Sequence, residues 1–221
     1  MRCLICHAET IPAVTWGTFW KPPVQKKICR DCEEQMDKIT APSCPRCHRP
    51  GHEGVCHDCE KWEKTNPGLL ERNVAAFPYN DFNKDLVARW KYRGDYAVLG
   101  AFKEDLQNAW LASGFKGRQV LNVPLSRKRL DERGFNQSEA IIQSLEQEPL
   151  SIFERSHSEK QSKRGRRDRM QAVNPFRLLH PITDPAVIVD DIYTTGRTVR
   201  HMASLLKKHG CPSVSSFTIF R

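Results

Sequence analysis

No run of about 18 apolar residues occurs in the 221-residue chain, so a membrane-spanning helix is excluded. Met1-Arg2-Cys3 leads into paired cysteines without the apolar core of a secretory signal, and the expected location is cytoplasmic. Beyond residue 59 cysteine is almost absent: of nine, only Cys211 lies there. Acidic residues are outnumbered, 26 against 35 Lys and Arg, for a formal net charge of +9. The surplus is local. Between Lys160 and Arg169 six cations (Lys160, Lys163, Arg164, Arg166, Arg167 and Arg169) face one acid, Asp168, and a second cluster comprises Arg127, Lys128, Arg129 and Arg133. Such runs say more about partners than the overall charge does. No internal repeat is visible apart from a recurring Cys-x-x-Cys turn.

The eight N-terminal cysteines form four of these turns: Cys3/Cys6, Cys29/Cys32, Cys44/Cys47 and Cys56/Cys59. Without an export signal, paired thiols point to metal ligation rather than disulfides. Two turns complete one tetrahedral shell, so four turns make two closed, structural zinc sites. Sequential pairing joins Cys3, Cys6, Cys29 and Cys32, then Cys44, Cys47, Cys56 and Cys59. A crossed pairing is geometrically open as well; the sequential one is preferred. His7, His48, His52 and His57 lie near enough to substitute, but with eight thiols present they read as solvated loop residues. Two Zn²⁺ on eight thiolates bring the net charge to about +5. Trp16, Phe19 and Trp20, beside Lys21, Lys26 and Lys27, read as stacking platforms for bases or as the core of a small module; packing is preferred.

Residues 1–62 therefore form a cysteine-rich module, 63–72 a linker marked by Asn66-Pro67-Gly68, and 73–221 a second domain. Strands are predicted at 73–79, 119–124, 150–153, 187–189 and 214–220. Helices are predicted from Asn80 or Asp81 to Gly94, over 96–110, from Gly134 or Asn136 through Leu145, and over 199–209. Strands alternating with helices imply a mostly parallel α/β sheet flanked by helices. The stretch from Arg155 to about Met170 shows no apolar periodicity and reads as a polar, basic loop.

The segment Ala186 to Val199 carries the chemistry. Val187-Ile188-Val189 is a β-branched run that ends in Asp190 and Asp191, followed by Thr194, Thr195, Gly196, Arg197 and Thr198 and then a helical pattern. A helix N-terminus offers free N–H groups and a positive dipole, so a phosphate can sit there. The acids at the strand end can accept from a sugar diol or hold Mg²⁺. This order resembles the phosphoribosyl-pyrophosphate (PRPP) signature of type I phosphoribosyltransferases. The resemblance implies that Asp190 and Asp191 contact ribose hydroxyls, that Thr194 to Thr198 cradle the 5′-phosphate, and that Leu125, Ser126 and Arg127 hold pyrophosphate.

Together with the cysteine turns, Phe77-Pro78-Tyr79, Lys91-Tyr92-Arg93-Gly94 and Arg133-Gly134-Phe135-Asn136-Gln137, the PRPP signature makes the chain similar to the ComF family of competence proteins over nearly its whole length. That resemblance implies a phosphoribosyltransferase-like fold behind a double zinc-ribbon-like module. It also implies a role in DNA uptake during natural transformation, and a ComF-type DNA-dependent ATPase as partner. Arg164, Arg166, Arg167, Arg169, Lys26 and Lys27 are the candidate contacts to single-stranded DNA. The segment from Arg155 to Asn174, with Gly165 as hinge, is either a loop closing over the reacting centre or a solvated loop. No residues that would read a nucleobase can be named, and no catalytic residue is assigned. An active phosphoribosyltransferase of nucleobase salvage or regulation is the alternative.

Overall fold

A computed structural model describes residues 1–10, 16, 20, 27–41, 43–155 and 174–221. The N-terminal part holds helices α1 (Arg30–Gln35) and α2 (His57–Thr65). Then follow strand β1 (Asn73–Phe77), α3 (Asp81–Tyr92), a 3₁₀ turn (Tyr96–Val98), α4 (Leu99–Ala112) and β2 (Gln119–Asn122). Next come α5 (Arg127–Arg133), α6 (Gln137–Ser144), β3 (Phe153–Arg155) and β4 (Phe176–Leu178). The chain closes with β5 (Ala186–Ile192), α7 (Arg197–Lys208) and β6 (Val214–Phe220).

The main sheet has the order β1-β6-β5-β2, every pair parallel. A central parallel strand is covered on both faces, which is why β5 is apolar without alternation: Val187, Ile188 and Val189 are fully buried. Val187 and Val189 face a core shared with Leu86 and Trp90 of α3, Phe102 and Leu106 of α4, and Ile141 and Ile142 of α6. Ile188 faces the opposite core, with Val199, Met202 and Leu206 of α7. Truncating Leu206, fully buried, to Ala should cost about 2–5 kcal/mol. The predicted α/β class, with helices on both faces, is what the chain adopts.

Local signals placed most elements. Asn80 caps α3 by accepting from Asn83 N at 2.9 Å, and Gly94 follows the helix at φ +67°. Other elements differ from expectation. The basic cluster after Ser126, for which the sequence predicts no element, is the short helix α5, capped by Ser126 and ended by Gly134 in the left-handed region. It buries nothing, so no apolar period announced it. The strand expected at 150–153 is β3 at 153–155, and it pairs antiparallel with the unanticipated β4. The start of the stretch read as linker belongs to α2.

The cysteine module is joined to the sheet. Asn73 N donates to Arg46 O at 2.8 Å, Ile39 N to Ala76 O at 3.0 Å, and the His48 ring sits 3.3 Å from the Ala75 backbone. These contacts cover the otherwise open edge of β1. Cys3, Ile5, Cys32 and Met36 share the core of α3 and α4, whereas Cys44, Cys47, Cys56 and Cys59 share that of α7.

Candidate functional site

A cavity of about 260 Å³ opens at the carboxyl ends of β2 and β5. Its walls are Val123 and Leu125 after β2, Asp190, Asp191 and Ile192 of β5, Thr194 and Thr198 beyond it, Lys91 of α3, Arg129 and Arg133 of α5, the corner Asn136-Gln137-Ser138, and Arg155 of β3. Open α/β sheets bind ligands at this end. A larger cavity of about 350 Å³ lies at the β1 edge between α4 and the cysteine module, far from the acidic pair.

The acids are unequal. Asp191 is buried and ion-paired with Lys91. Burial pushes the Asp190 carboxyl up to about 7, and the charge of Asp191 adds to the rise; a hydrogen bond from Asp191 N at 2.9 Å opposes it. Two adjacent carboxylates with one close cation leave the site short of positive charge at the β5 end. A divalent ion or a hydroxyl-bearing ligand would relieve that.

The other wall is cationic. Arg129, Arg133 and Arg155 form no ion pair among the described residues. Burial lowers the Arg155 guanidinium, and Arg129 and Arg133 push it the same way. Arg133 Nη1 donates to Gln137 Oε1 at 2.8 Å, leaving Gln137 Nε2, buried in the cavity wall, without an acceptor. Three guanidiniums and an unpaired amide donor match a ligand rich in anionic oxygens.

The loop 193–196 is held from behind. Arg221 Nη1 donates to Tyr193 O at 3.2 Å and Thr194 O at 2.9 Å, Trp62 Nε1 to Thr195 O at 2.9 Å, and Arg200 Nη1 to Gly196 O at 3.4 Å. In trans peptide planes the next N–H points opposite its carbonyl, so the amides of Thr194, Thr195 and Gly196 are turned away from these anchors. Among the described residues they have no acceptor. With the start of α7 they form an anion cradle. Gly196 sits at φ +72°, and a Cβ there would overlap Arg200 and the Tyr193 ring, so only glycine fits.

The Arg-Gly-Phe-Asn-Gln corner also becomes legible. Ser138 Oγ donates to Val189 O and accepts from Val123 N, and Asn136 Nδ2 donates to Val123 O at 3.1 Å. The corner thus welds the end of β2 to the end of β5. Phe135 locks it against Trp90, with ring centroids 5.8 Å apart, and Gly134, in the left-handed region, ends α5 just after the cavity-lining Arg133.

The four sulfurs of Cys3, Cys6, Cys29 and Cys32 lie within 4.8 Å of one another, as do those of Cys44, Cys47, Cys56 and Cys59. The sequential pairing is the one the fold brings together. Cys6 Sγ and Cys29 Sγ are 3.6 Å apart, as are Cys47 Sγ and Cys56 Sγ, near the roughly 3.8 Å edge of a tetrahedron with Zn–S bonds of about 2.3 Å. Burial raises the Cys3 and Cys44 thiols, but backbone N–H donors outweigh it and bring them down to about 6 and about 7. These donor sets fit a thiophilic ion such as zinc. The histidines are not in either cluster; His48 is half-buried against β1 and His57 is exposed. Cys211 is structural, its thiol 3.2 Å from Asp184 O.

Of the residues expected to bind phosphoribose, Asp190, Asp191, Leu125, Thr194 and Thr198 line the cavity. Thr195, Gly196 and Arg197 shape the cradle from outside it, and Ser126 caps α5 while Arg127 is exposed. Arg129 and Arg133 point where Arg127 was expected, because they lie on the inner side of α5. The sequence gives no site role to Lys91 or Gln137, which stand in motifs that carry only the family resemblance; Arg155 opens the segment expected either to close over the reacting centre or to be solvated, and it lines the cavity from β3. Arg164, Arg166, Arg167, Arg169, Gly165 and Lys26 lie outside the described residues, and Lys27 is exposed with its carbonyl accepting from Leu4 N at 2.9 Å. Trp16 and Trp20 are 95% and 90% exposed, so the packing expected of them is not realised.

No helix among the described residues is long and apolar enough to cross a membrane. Residues 130–221 match the phosphoribosyl transferase domain family. The competence protein ComFC of Bacillus subtilis is 34% identical over 226 residues, covering 99% of this chain and 94% of that one. ComFC of Streptococcus pneumoniae is 30% identical over 224 residues, covering all of both chains. The DNA utilization protein YhgH of Escherichia coli K12 is 32% identical over 239 residues, covering 96% and 98%. Similarity of this extent, across both the cysteine turns and the acidic-strand domain, makes the chain a member of the ComFC family of competence proteins.

Proposed function

We propose that the protein acts in DNA uptake during natural transformation, binds single-stranded DNA in the cytoplasm and uses its cavity to hold a 5-phosphoribosyl ligand such as PRPP. The carrying observation is the division of the cavity, with an acidic pair at one wall and three guanidiniums at the other, beside a loop of free amides that adjoins it at Thr194 and Thr198. Asp190 and Asp191 accept from the ribose hydroxyls or hold Mg²⁺, with Lys91 displaced from Asp191 as the ligand enters. Thr194, Thr198 and the amides of Thr194, Thr195 and Gly196 take the 5′-phosphate. Leu125, Arg129, Arg133 and Arg155 enclose a pyrophosphate, and Ser126 and Arg127 stand at its outer rim. Zinc in both cysteine centres holds the module (residues 1–62, joined through 63–72 to the domain 73–221) against the sheet.

The DNA reading rests on the functions that the relatives' names state and on the net charge of +9. Arg164, Arg166, Arg167, Arg169, Lys26 and Lys27 supply the cations, exposed Trp16 and Trp20 the aromatic surface, and a DNA-dependent ATPase the motor. A base-transferring enzyme of salvage is the weaker reading, because none of the described cavity-lining residues is aromatic. Calorimetry of zinc-loaded protein with PRPP and Mg²⁺, beside fluorescence anisotropy with oligonucleotides, tests both halves. Binding of PRPP and a preference for single strands over duplex is the expected result. No heat from PRPP, ribose 5-phosphate or a mononucleotide would refute the phosphoribosyl half.

A further inference from the structure

The anchors behind the phosphate cradle do not come from the sheet alone. Arg221 divides its guanidinium: Nη1 holds Tyr193 O and Thr194 O, while Nη2 donates to Cys47 Sγ at 3.2 Å. Trp62 lies three residues beyond Cys59 on α2, a helix that starts after Cys56 and carries Cys59 in its first turn. The indole N–H of Trp62 holds Thr195 O, and its ring supports the Arg200 guanidinium with Cζ 4.6 Å from the centroid. Arg200, itself only 8% exposed, reaches Tyr193 Oη and Gly196 O. Four consecutive loop carbonyls are therefore fixed by three side chains, and two of these answer to the cysteines at 44, 47, 56 and 59. The first cluster has no such path to the loop among the described residues; Ile5 O accepts from Arg89 Nη1 at 2.6 Å, on α3.

We propose that the Cys44/Cys47/Cys56/Cys59 centre sets the conformation of the phosphate cradle, with Arg221 and Trp62 as the positioning residues. Metal occupancy and phosphoribosyl binding are then linked equilibria. The physical chain is short. A bound metal fixes Cys47 Sγ and the first turn of α2. These fix Arg221 and Trp62, which keep the carbonyls of residues 193–195 turned back and the following amides turned toward the anion. Losing the metal leaves four thiols crowded within 4.8 Å without the ligand they share, so both anchors lose their firmest reference point. A peptide plane free to rotate then presents a carbonyl instead of an amide, which repels a phosphate. Linkage is reciprocal: the ligand must tighten retention of this metal by the factor the metal tightens the ligand.

This inference rests on the phosphoribosyl reading only for the identity of the ligand, and the test separates the two. Amide hydrogen exchange would be followed in the full-length protein, zinc-loaded and after chelation. The reporters are Tyr193, bonded to Phe220 O at 2.9 Å, and Arg200, bonded to Gly196 O at 3.1 Å. Chelation should speed exchange at both by about tenfold, within the usual range of coupling between sites. Trp62→Phe keeps the ring under Arg200 but removes the donor. It should accelerate the same amides and weaken PRPP about tenfold while two zinc equivalents stay bound. Arg221→Ala should do likewise, with Arg221→Lys recovering part of the loss. Unchanged exchange at 193–200 after metal loss, with residues 44–59 exchanging faster, would overturn the proposal; so would wild-type exchange in zinc-loaded Trp62→Phe. A cradle that responds to zinc in a protein that binds no PRPP would uphold the linkage and overturn the choice of ligand.

Discussion

Asp190→Asn should make the ligand-free protein more stable while abolishing its phosphoribosyl site. Asn is isosteric and keeps the oxygen that accepts from Asp191 N. It removes a carboxyl whose pKa is raised from 3.8 to about 7 by burial and by Asp191. The sign follows from proton counting. Between those two values the folded state holds a proton that the unfolded state has released, so wild-type stability falls as pH rises through this window. The difference of roughly 3 pH units corresponds to an upper bound of about 4 kcal/mol at pH 8. Relaxation around a half-buried group lowers this to about 2–4 kcal/mol, or about 6–12 °C in Tm for a chain of this size. Urea unfolding of wild type and variant at pH 6, 7 and 8, with zinc present, measures it. The advantage of Asn should grow by about 1.4 kcal/mol from pH 6 to 8 and level off above 7. A difference independent of pH, or a variant less stable than wild type at pH 8, would refute the argument. The expected outcome is a stability–function trade-off at a strand end that serves a ligand.

Lys91→Met leaves Asp191 buried without its cation and should cost about 2–4 kcal/mol, much of it recovered in Lys91→Met/Asp191→Asn; a double-mutant cycle by denaturation measures the coupling. Gly196→Ala combines a positive φ with steric overlap on Arg200 and Tyr193, so it should cost about 1–3 kcal/mol or more and eliminate PRPP binding by calorimetry. Chelating zinc should lower the unfolding temperature of the whole chain in a single transition, because both cysteine clusters lie in the cores that cover the sheet; two separate transitions, with the sheet at its original temperature, would contradict this. Replacing Arg164, Arg166, Arg167 and Arg169 by Ala should weaken single-stranded DNA binding and flatten its salt dependence. The slope should fall by up to roughly 0.7 log units of affinity per log unit of salt for each DNA phosphate no longer neutralised, read by anisotropy across a salt series.

Much of this molecule is written in local patterns. β5 was legible because a strand buried on both faces must be apolar at every position, and the cap at Asn80 because a short polar side chain can satisfy the first free amides of α3. The two four-cysteine sets were legible because a Cys-x-x-Cys turn brings two sulfurs to one point. What escaped had no local signature. Helix α5 buries none of its side chains, and β4 is three residues long and defined by its partner β3.

By itself, then, the sequence determined the α/β class, the acidic strand end, the threonine-glycine loop and the sulfur ligands, since each depends on neighbours within a few residues. Only the tertiary structure decided which cations enter the cavity. Lys91, Arg129, Arg133 and Arg155 come from α3, α5 and β3, and their meeting at the ends of β2 and β5 depends on how the helices pack on the sheet. Only the tertiary structure, too, placed Cys47 beside Arg221 and Trp62 beside Thr195, pairs separated by 174 and 133 residues. Contacts at such separations leave no periodicity in the chain, because they are set by the closing of the two cores and not by any local geometry.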